Sequence, residues 1–374
     1  MEGLRSAAAA APPKSRSAFA LISRLRGKFA RVPVAQKLFL VQQLSIMVKT
    51  GISLAVALRT ITEQTGNKTL KVVLADVQQE VERGNTFAKG LERHRGVFGD
   101  LFISMIAGGE ASGKLEEVLN QLFIQLKRDH ALVSKVRGAM IYPAVIIVAM
   151  IGVAILTMIF VIPNLLTIFE EVDVPLPLAT RILITISNSL TSYGIFVVLG
   201  LALVIAALVR VVHLPGGRYA YHWLLLRLPV AGVIIRKINI ARFCRTFSSL
   251  LKTDIAIIRS FEITADVVGN ELYKRLLREA KEKVKRGLNI KESLTSDMQL
   301  FPPVVLQMVA IGEETGALDN VLEESALFYE NDIDQTMTTL PSLIEPILIV
   351  ALGLGVAGMA MAVIMPMYSI SQQI

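Results

Sequence analysis

The sequence predicts an all-α, polytopic membrane protein built from two copies of one cytoplasmic six-helix bundle and three transmembrane helices. Three observations predict it. Long windows without one charged side chain alternate with amphipathic stretches, the amphipathic stretches carry helical and never strand periodicity, and the second half repeats the first at one register. With 53% hydrophobic and 19% charged residues and a mean hydropathy of +0.56, the composition fits a membrane protein better than two soluble domains.

The repeat is clearest at Gly109-Glu110-Ala111-Ser112-Gly113-Lys114-Leu115, which returns as Gly312-Glu313-Glu314-Thr315-Gly316-Ala317-Leu318, a shift of 312 − 109 = 203 residues. Without a gap, the same shift pairs Lys49-Thr50 with Lys252-Thr253, Gly66-Asn67 with Gly269-Asn270 and Arg83-Gly84 with Arg286-Gly287. It also pairs Phe98 with Phe301, Met105 with Met308, Pro143 with Pro346 and Pro163 with Pro366. Gly108 to Lys114 reads almost as a phosphate-binding loop, but Leu115 stands where a magnesium-binding Ser or Thr is required, and the second copy loses both the first Gly and the Lys. What both copies keep, Gly109, Glu110, Gly113 and Gly312, Glu313, Gly316, reads as helix punctuation. Ser112 or Thr315 is expected to cap the following helix, with the Glu110 or Glu313 carboxylate near its positive end.

In chain order, residues 1–32 are an Ala- and Pro-rich tail followed by a basic, apolar stretch from Ser17 to Arg31. Its basic residues interrupt any signal-peptide core, and it suits either an amphipathic helix on an anionic membrane or a basic tail. Residues 33–138 form the first bundle. Pro33 opens a helix that Gly51 stops, Ser53 caps one ending near Gly66, and Lys68 to Arg83 stops at Gly84. Thr86 caps a short helix, Asp100 caps another that ends at the Gly108-Gly109 turn, and a long amphipathic helix runs from Gly113 to Arg137. The first crossing follows at 139–164, an external loop at 165–188, the second crossing at 189–212, the second bundle at 213–339, the third crossing at 340–367 and a tail at 368–374. In the second bundle Asn289 and Glu292 make a capping box. The middle crossing has no partner in the repeat. It returns the chain to the side of the first bundle.

Lys127, Arg128, Lys135 and Arg137 precede the first crossing, and Arg210, Arg218, Arg227, Arg236 and Lys237 follow the second, whereas the loop between holds Arg181 alone. The positive-inside rule then puts both bundles and the N-terminus in the cytoplasm, and the C-terminus outside. The single cysteine, Cys244, excludes an internal disulfide and a Cys-rich metal site, and His94, His130, His213 and His222 show no metal-ligand spacing. No cofactor is expected, nor any nucleophile–base set that would make an enzyme. The halves differ in charge. Residues 1–138 hold 21 Lys/Arg against 11 Asp/Glu, while eleven acids and no base follow Lys291. Within that acidic run Glu323, Glu324 and Glu330 are candidates for a partner surface of complementary charge, against the plainer reading of a solvated helix face.

The stretches FPPVVLQMVAIGEETGALDNVLEESALFYEND (Phe301 to Asp332), LIEPILIVALG (Leu343 to Gly353) and LPLATRILITIS (Leu176 to Ser187) resemble the secretion F-domain family, the inner-membrane core proteins of type IV pilus and type II secretion machines. The resemblance runs from Pro33 to Met367 and includes the duplicated bundle with three crossings. It departs where the family usually has Arg-Gln and this chain has Gln42-Gln43, where the family has Gly and the second copy has Asp254, and in the short N-terminal tail. The resemblance implies a non-enzymatic platform in a bacterial inner membrane. It also implies a homo-oligomer, a dimer, which contacts a hexameric cytoplasmic ATPase, other assembly proteins and lipid and passes motion to pilin or pseudopilin subunits. No nucleic acid is implied. A transporter or channel is the alternative, and it sits poorly with three nearly clean apolar spans.

Four residues at the bundle-to-membrane junctions are candidates for that transmission: Tyr142 and Pro143 at the start of the first crossing, Glu345 and Pro346 at the start of the third. Glu345 is the sharpest, because an ionisable residue at a membrane helix is a functional candidate by default; the plain alternative is a carboxylate reaching headgroup water. Gly353, Gly355 and Gly358 line up small residues suited to close packing against another helix.

Overall fold

The computed structural model describes residues 32–163 and 178–371, and every described element is helical. The segment expected at 1–32 therefore lies outside the described residues up to 31, as do most of the loop expected at 165–188 and the end of the tail at 372–374. The chain divides into two compact units, whose described parts are 32–130 with Ser249–Ile263, and 131–163 and 178–248 with 264–371.

The first unit begins with α1 (Val34–Lys49), α2 (Leu54–Gln64), α3 (Lys68–Glu82), α4 (Phe87–Glu92), α5 (Arg95–Phe98) and α6 (Asp100–Ser112), then the start of α7 (Leu115–Leu156). Each helix buries one stripe. Leu40, Leu44, Leu58, Ile61, Leu74 and Leu91 are at most 1% exposed, each contributing about 1.5–3 kcal/mol by leaving water. Helices stop as expected at Gly51 (φ 80°) and Gly84 (φ 86°), but α6 runs through the Gly108-Gly109 turn where it was expected to end and stops at Gly113 (φ 72°); a Cβ would strain the left-handed backbone at all three. At the N-termini, Asn67 accepts from the Leu70 N–H (2.9 Å) and Thr86, as expected, from the Lys89 N–H (3.2 Å). Ser53 makes no such bond. Asp100 is not a cap either: Gly99 holds that position, and Asp100 sits in the first turn of α6, where its carboxylate meets the positive helix end and Arg95 (3.0 Å).

Further elements are α8 (Leu178–His213), α9 (Pro215–Arg227), α10 (Ala231–Lys252), α11 (Ile257–Val267), α12 (Glu271–Lys285), α13 (Ile290–Leu294), α14 (Pro303–Thr315) and α15 (Leu318–Ser371). Helices α10 to α15 follow α1 to α7 position by position at the 203-residue shift, except that nothing helical matches α5. The interior of the second unit is more aromatic. Phe243, Tyr273 and Phe301 are fully buried with ring centroids 5.0 and 5.6 Å from Phe301 in edge-on contacts, and the Tyr273 hydroxyl donates to the Leu300 carbonyl (2.7 Å). The matching positions in the first unit are Leu40, Leu70 and Phe98, also buried.

Among the described residues, two helices are long and apolar enough to cross a membrane, Leu115–Val161 and Leu318–Met361, and the most apolar stretch of each lies on the surface of the described chain. Apolar faces of that length need a covering that the chain itself does not provide. A third qualifies only if Ala202–Val212 is counted with Gly216–Arg227 across a 99° bend. Helix α8 itself breaks at Tyr193 (φ −122°, ψ 19°), close to where the second crossing was expected to begin. Pro143 lies within α7, and the chain widens into a π-helical turn over Thr157–Val161 just before Pro163.

Candidate functional site

The repeated Gly-Glu turn is built the same way in both copies, and differently from the expectation. Ser112 and Thr315 do not cap the helices that follow. Their hydroxyls donate back to the carbonyls of Gly108 (2.8 Å) and Ile311 (2.7 Å) within their own helices. The carboxylates act on a different helix. Glu110 accepts from the Phe87 and Ala88 N–H groups (2.7 and 3.0 Å), the unpaired donors that open α4. Glu313 likewise accepts from Ile290 through both oxygens (2.8 and 2.9 Å) and from Lys291 (3.4 Å) at the start of α13. Glu313 thus does what the expected Asn289–Glu292 box would have done, and Asn289 makes no cap bond. A carboxylate on exposed N–H donors meets the positive end of the helix dipole, which suits a charged side chain here and nowhere else in the turn.

The glycines complete the device. Gly113 and Gly316 end α6 and α14 in the left-handed region (φ 72° and 68°). After Gly113 the Lys114 N–H returns to the Gly109 carbonyl (2.8 Å), the closing bond of a Schellman turn. The next helix is thereby folded tightly back, and Gly109 and Gly312 are where it touches. A Cβ on Gly109 would lie 2.7 Å from Val118, and one on Gly312 would lie 2.9 Å from the Leu318 Cα. No phosphate loop exists here: Gly108 to Ser112 is helical, and the Lys114 ammonium pairs with Asp254 (3.1 Å).

At the junctions, α7 and α15 run unbroken from bundle into apolar span. Below its apolar stretch, α15 is tied to its neighbours by charge. Asp334 pairs with Lys135 on α7, and Lys237 on α10 donates to Asp332 (2.8 Å) and to the Thr336 hydroxyl (3.1 Å). Tyr142, Glu345 and Pro346 are exposed and Pro143 is buried, so the four expected transmission residues do not share one environment. Cβ atoms added at Gly353, Gly355 and Gly358 would meet nothing.

The acidic cluster is not one surface. Glu330 is 4% exposed and grips Arg245 with both oxygens (2.9 Å each), and Glu323 reaches the same guanidinium at 3.4 Å. Glu324 is exposed. An acid spaced along a helix reads as solvated unless its basic partner is known, and Arg245 lies on α10, far away in sequence. Arg245, Lys135 and Lys237 are the residues that sequence reasoning missed, because nothing local distinguishes them from the other bases. Beside this pair, burial pushes the Cys244 thiol up to about 12, with Glu330 adding to the shift and Arg245 opposing it. Among the described residues no group of three or more His, Cys, Asp or Glu side chains is placed to hold a metal ion.

Helical bundles that lead directly into exposed apolar spans define a membrane-anchored helical protein whose apparatus is made of turns and ion pairs. The model of one family, described as "Type II secretion system (T2SS), protein F", matches residues 40–163 and 243–366, two stretches at the same shift, 243 − 40 = 366 − 163 = 203. The chain is 34% identical to the Type IV pilus assembly protein PilC of Thermus thermophilus over 329 residues, 88% of this chain and 81% of that one. It is 32% identical to the Type II secretion system protein F of Aeromonas hydrophila over 335 residues, covering 89% and 86% respectively. The PilC of Myxococcus xanthus is 31% identical over 330 residues, 88% of this chain and 79% of its own length. The chain belongs to the type II secretion system protein F family.

Proposed function

We propose that the chain is an inner-membrane platform of a type IV pilus or type II secretion machine, coupling a cytoplasmic assembly ATPase to the entry of pilin or pseudopilin subunits into a filament. The single observation that carries this reading is the double family match, each half a helical bundle ending in an apolar span. On this reading the two bundles, 33–138 and 213–339, are copies of one unit on the cytoplasmic side. Crossings at 139–164, 189–212 and 340–367 anchor them, and the loop at 165–188 and the tail lie outside. The ATPase grips the bundles, and the pilin's apolar helix packs on the spans. Tyr142, Pro143, Glu345 and Pro346 sit where bundle motion enters the membrane, and the exposed Glu324 is left for a partner. The protein catalyses nothing itself and uses no cofactor; its mechanical stiffness comes from unbroken helices and from the ion pairs of Asp332 and Asp334.

The test is co-purification from detergent with the hexameric assembly ATPase of the same organism, together with loss of filaments or secretion on deletion. Expected is a stable complex and a non-assembling strain. Restoration of assembly by the Glu345→Gln chain at wild-type level removes Glu345 from the mechanism. Solute flux in proteoliposomes containing the chain alone, with no ATPase complex, overturns the reading in favour of a transporter.

A further inference from the structure

Within the first unit, the corner between α10 and α11, Ser249–Ile263, is seated on a face made by α6 and α7. Its contacts are specific. Ser249 accepts from Gln121 (3.0 Å) and donates to Gln125 (3.1 Å), Arg259 donates to Ser104 (3.4 Å), and a Cβ on Gly108 would lie 3.2 Å from the Thr253 carbonyl and 3.5 Å from Ile255. A corner of one copy therefore covers a face of the other.

The 203-residue shift gives each partner a counterpart. The counterpart of the docked corner is 46–60, between α1 and α2; the counterpart of the covered face lies on α14 and α15. Both are bare. On the corner, Ile46 (for Ser249) is 51% exposed, Ile52 (for Ile255) 41% and Val56 (for Arg259) 50%; on the face, Phe328 (for Gln125) is 62% exposed and Ile311 (for Gly108) 41%. Met308 is 38% exposed, while its counterpart Met105 is fully buried. At four positions where the occupied pair has a polar group or a glycine (Ser249, Arg259, Gln125 and Gly108) the empty pair carries Ile46, Val56, Phe328 and Ile311, while the counterparts of Gln121 and Ser104 stay polar as Glu324 and Gln307. Such side chains have no reason to face water on two matched surfaces. Charge agrees as well: the corner 46–60 holds Lys49 and Arg59 and no acid, and the face holds Glu314 and Glu324 with no base after Lys291.

We propose that a second copy of this chain seats its 46–60 corner on the α14–α15 face, bringing Ile46 against Phe328 and Ile52 against Ile311. Because Ile311 replaces Gly108, the incoming corner rests a side chain farther out than Thr253 does, and the contact is apolar where the internal one is hydrogen-bonded. The surfaces are different ones, so the contact is heterologous. With one free corner and one free face per chain, the assembly closes only as a ring, of which a mutual pair is the smallest. This deepens the homo-oligomer of the proposed function and rests on reading the two bundles as copies.

Cross-linking of the full chain in native membranes tests it. Chains carrying Ile46→Cys and a small tag are co-expressed with chains carrying Phe328→Cys and a large tag; Cys244, fully buried with an unreactive thiol, is left in place. Mild oxidation is expected to give a mixed-tag disulfide band, with neither variant cross-linking alone. Adding the exposed substitution Ile311→Asp is expected to reduce that band by about tenfold or more without changing detergent elution or helicity. No mixed band from chains of normal helicity, a band unaffected by Ile311→Asp, or an Ile46–Ile46 homotypic band each overturns the proposal. ATPase co-purification separates the two readings: if it survives while the cross-link is absent, only this inference falls.

Discussion

The two repeats agree in their turns and disagree in their interiors. Left-handed backbone recurs at Gly51 and Asp254, Gly84 and Gly287, and Gly113 and Gly316; the Glu110 and Glu313 carboxylates open the same short helix in each copy. The buried charges do not correspond. In the first bundle Glu80 accepts from Arg93 (2.6 Å) and Arg83 (3.1 Å), whereas the shift places Lys283 there in the second. In the second, Arg245 and Glu330 pair, whereas the first has Gln42 and Lys127. Backbone geometry admits few residue types at a left-handed position or a bare helix start, so those residues persist. An ion pair is one of many ways to fill an interior, so it drifts.

That contrast is sharpest if the pairs are broken one at a time. Arg245 and Glu330 are each 5% exposed at the side chain, so Glu330→Ala leaves the guanidinium to the longer Glu323 contact (3.4 Å) with little water to receive it. The expected loss is about 3–5 kcal/mol. Glu80 is nearly as buried, at 11%, but Arg83 and Arg93 are 58% and 54% exposed and rehydrate when released. Glu80→Ala is therefore expected to cost less, about 1–3 kcal/mol. Thermal unfolding of both variants in detergent, scored against the parent, checks the order. Equal shifts would mean that solvent reaches Arg245 as easily as it reaches Arg93.

Substitutions in the turn should instead give matched effects. Glu110→Ala and Glu313→Ala each leave two backbone donors without their charged acceptor, for about 1.5–3 kcal/mol apiece. Unfolding midpoints that move together support one device used twice. A large loss at one site and none at the other would show that water or a neighbour caps one of the short helices unaided.

Much of this was legible in the sequence because helix stops and apolar spans are local. Gly51 and Gly84 end helices as read, Thr86 caps as read, and the windows around Pro143 and Pro346 lie in the long apolar helices, whereas the helix expected to end at Gly108-Gly109 runs on to Ser112. The misreadings were of two kinds. Locally, Ser53, Asp100, Ser112, Thr315 and Asn289 have the residue type of a cap without making the bond. At long reach, Glu110 sits beside the helix it was expected to serve, yet its carboxylate acts on Phe87 and Ala88, and Glu330 looked like a surface acid until Arg245 was set against it. Residue type within a sequence window offers a cap; capping across two helices requires knowing which turns meet.

The smallest expected effect lies at the one matched turn that lost its glycine. Asp254 holds φ 58° where Gly51 holds 80°. A Cβ in this region costs on the order of 1 kcal/mol, less for Asp than for most residues because its short polar side chain bonds locally. Glycine in turn loses more chain entropy on folding. Asp254→Gly should thus stabilise the protein by only about 0.5 kcal/mol, while Gly51→Ala, which adds strain with no polar compensation, should cost about 1 kcal/mol. The Asp254 carboxylate also holds the Lys114 ammonium, whose pKa rises through that hydrogen bond. Both partners are well exposed, so the pair weakens as salt screens it. The advantage of Asp254→Gly should accordingly grow between low and high salt, and the effect of Gly51→Ala should not. Were Asp254→Gly destabilising at every salt concentration, the carboxylate would be holding the docked corner more firmly than its exposure allows, and the polar contacts of Ser249 and Arg259 would no longer suffice to explain why that corner is seated.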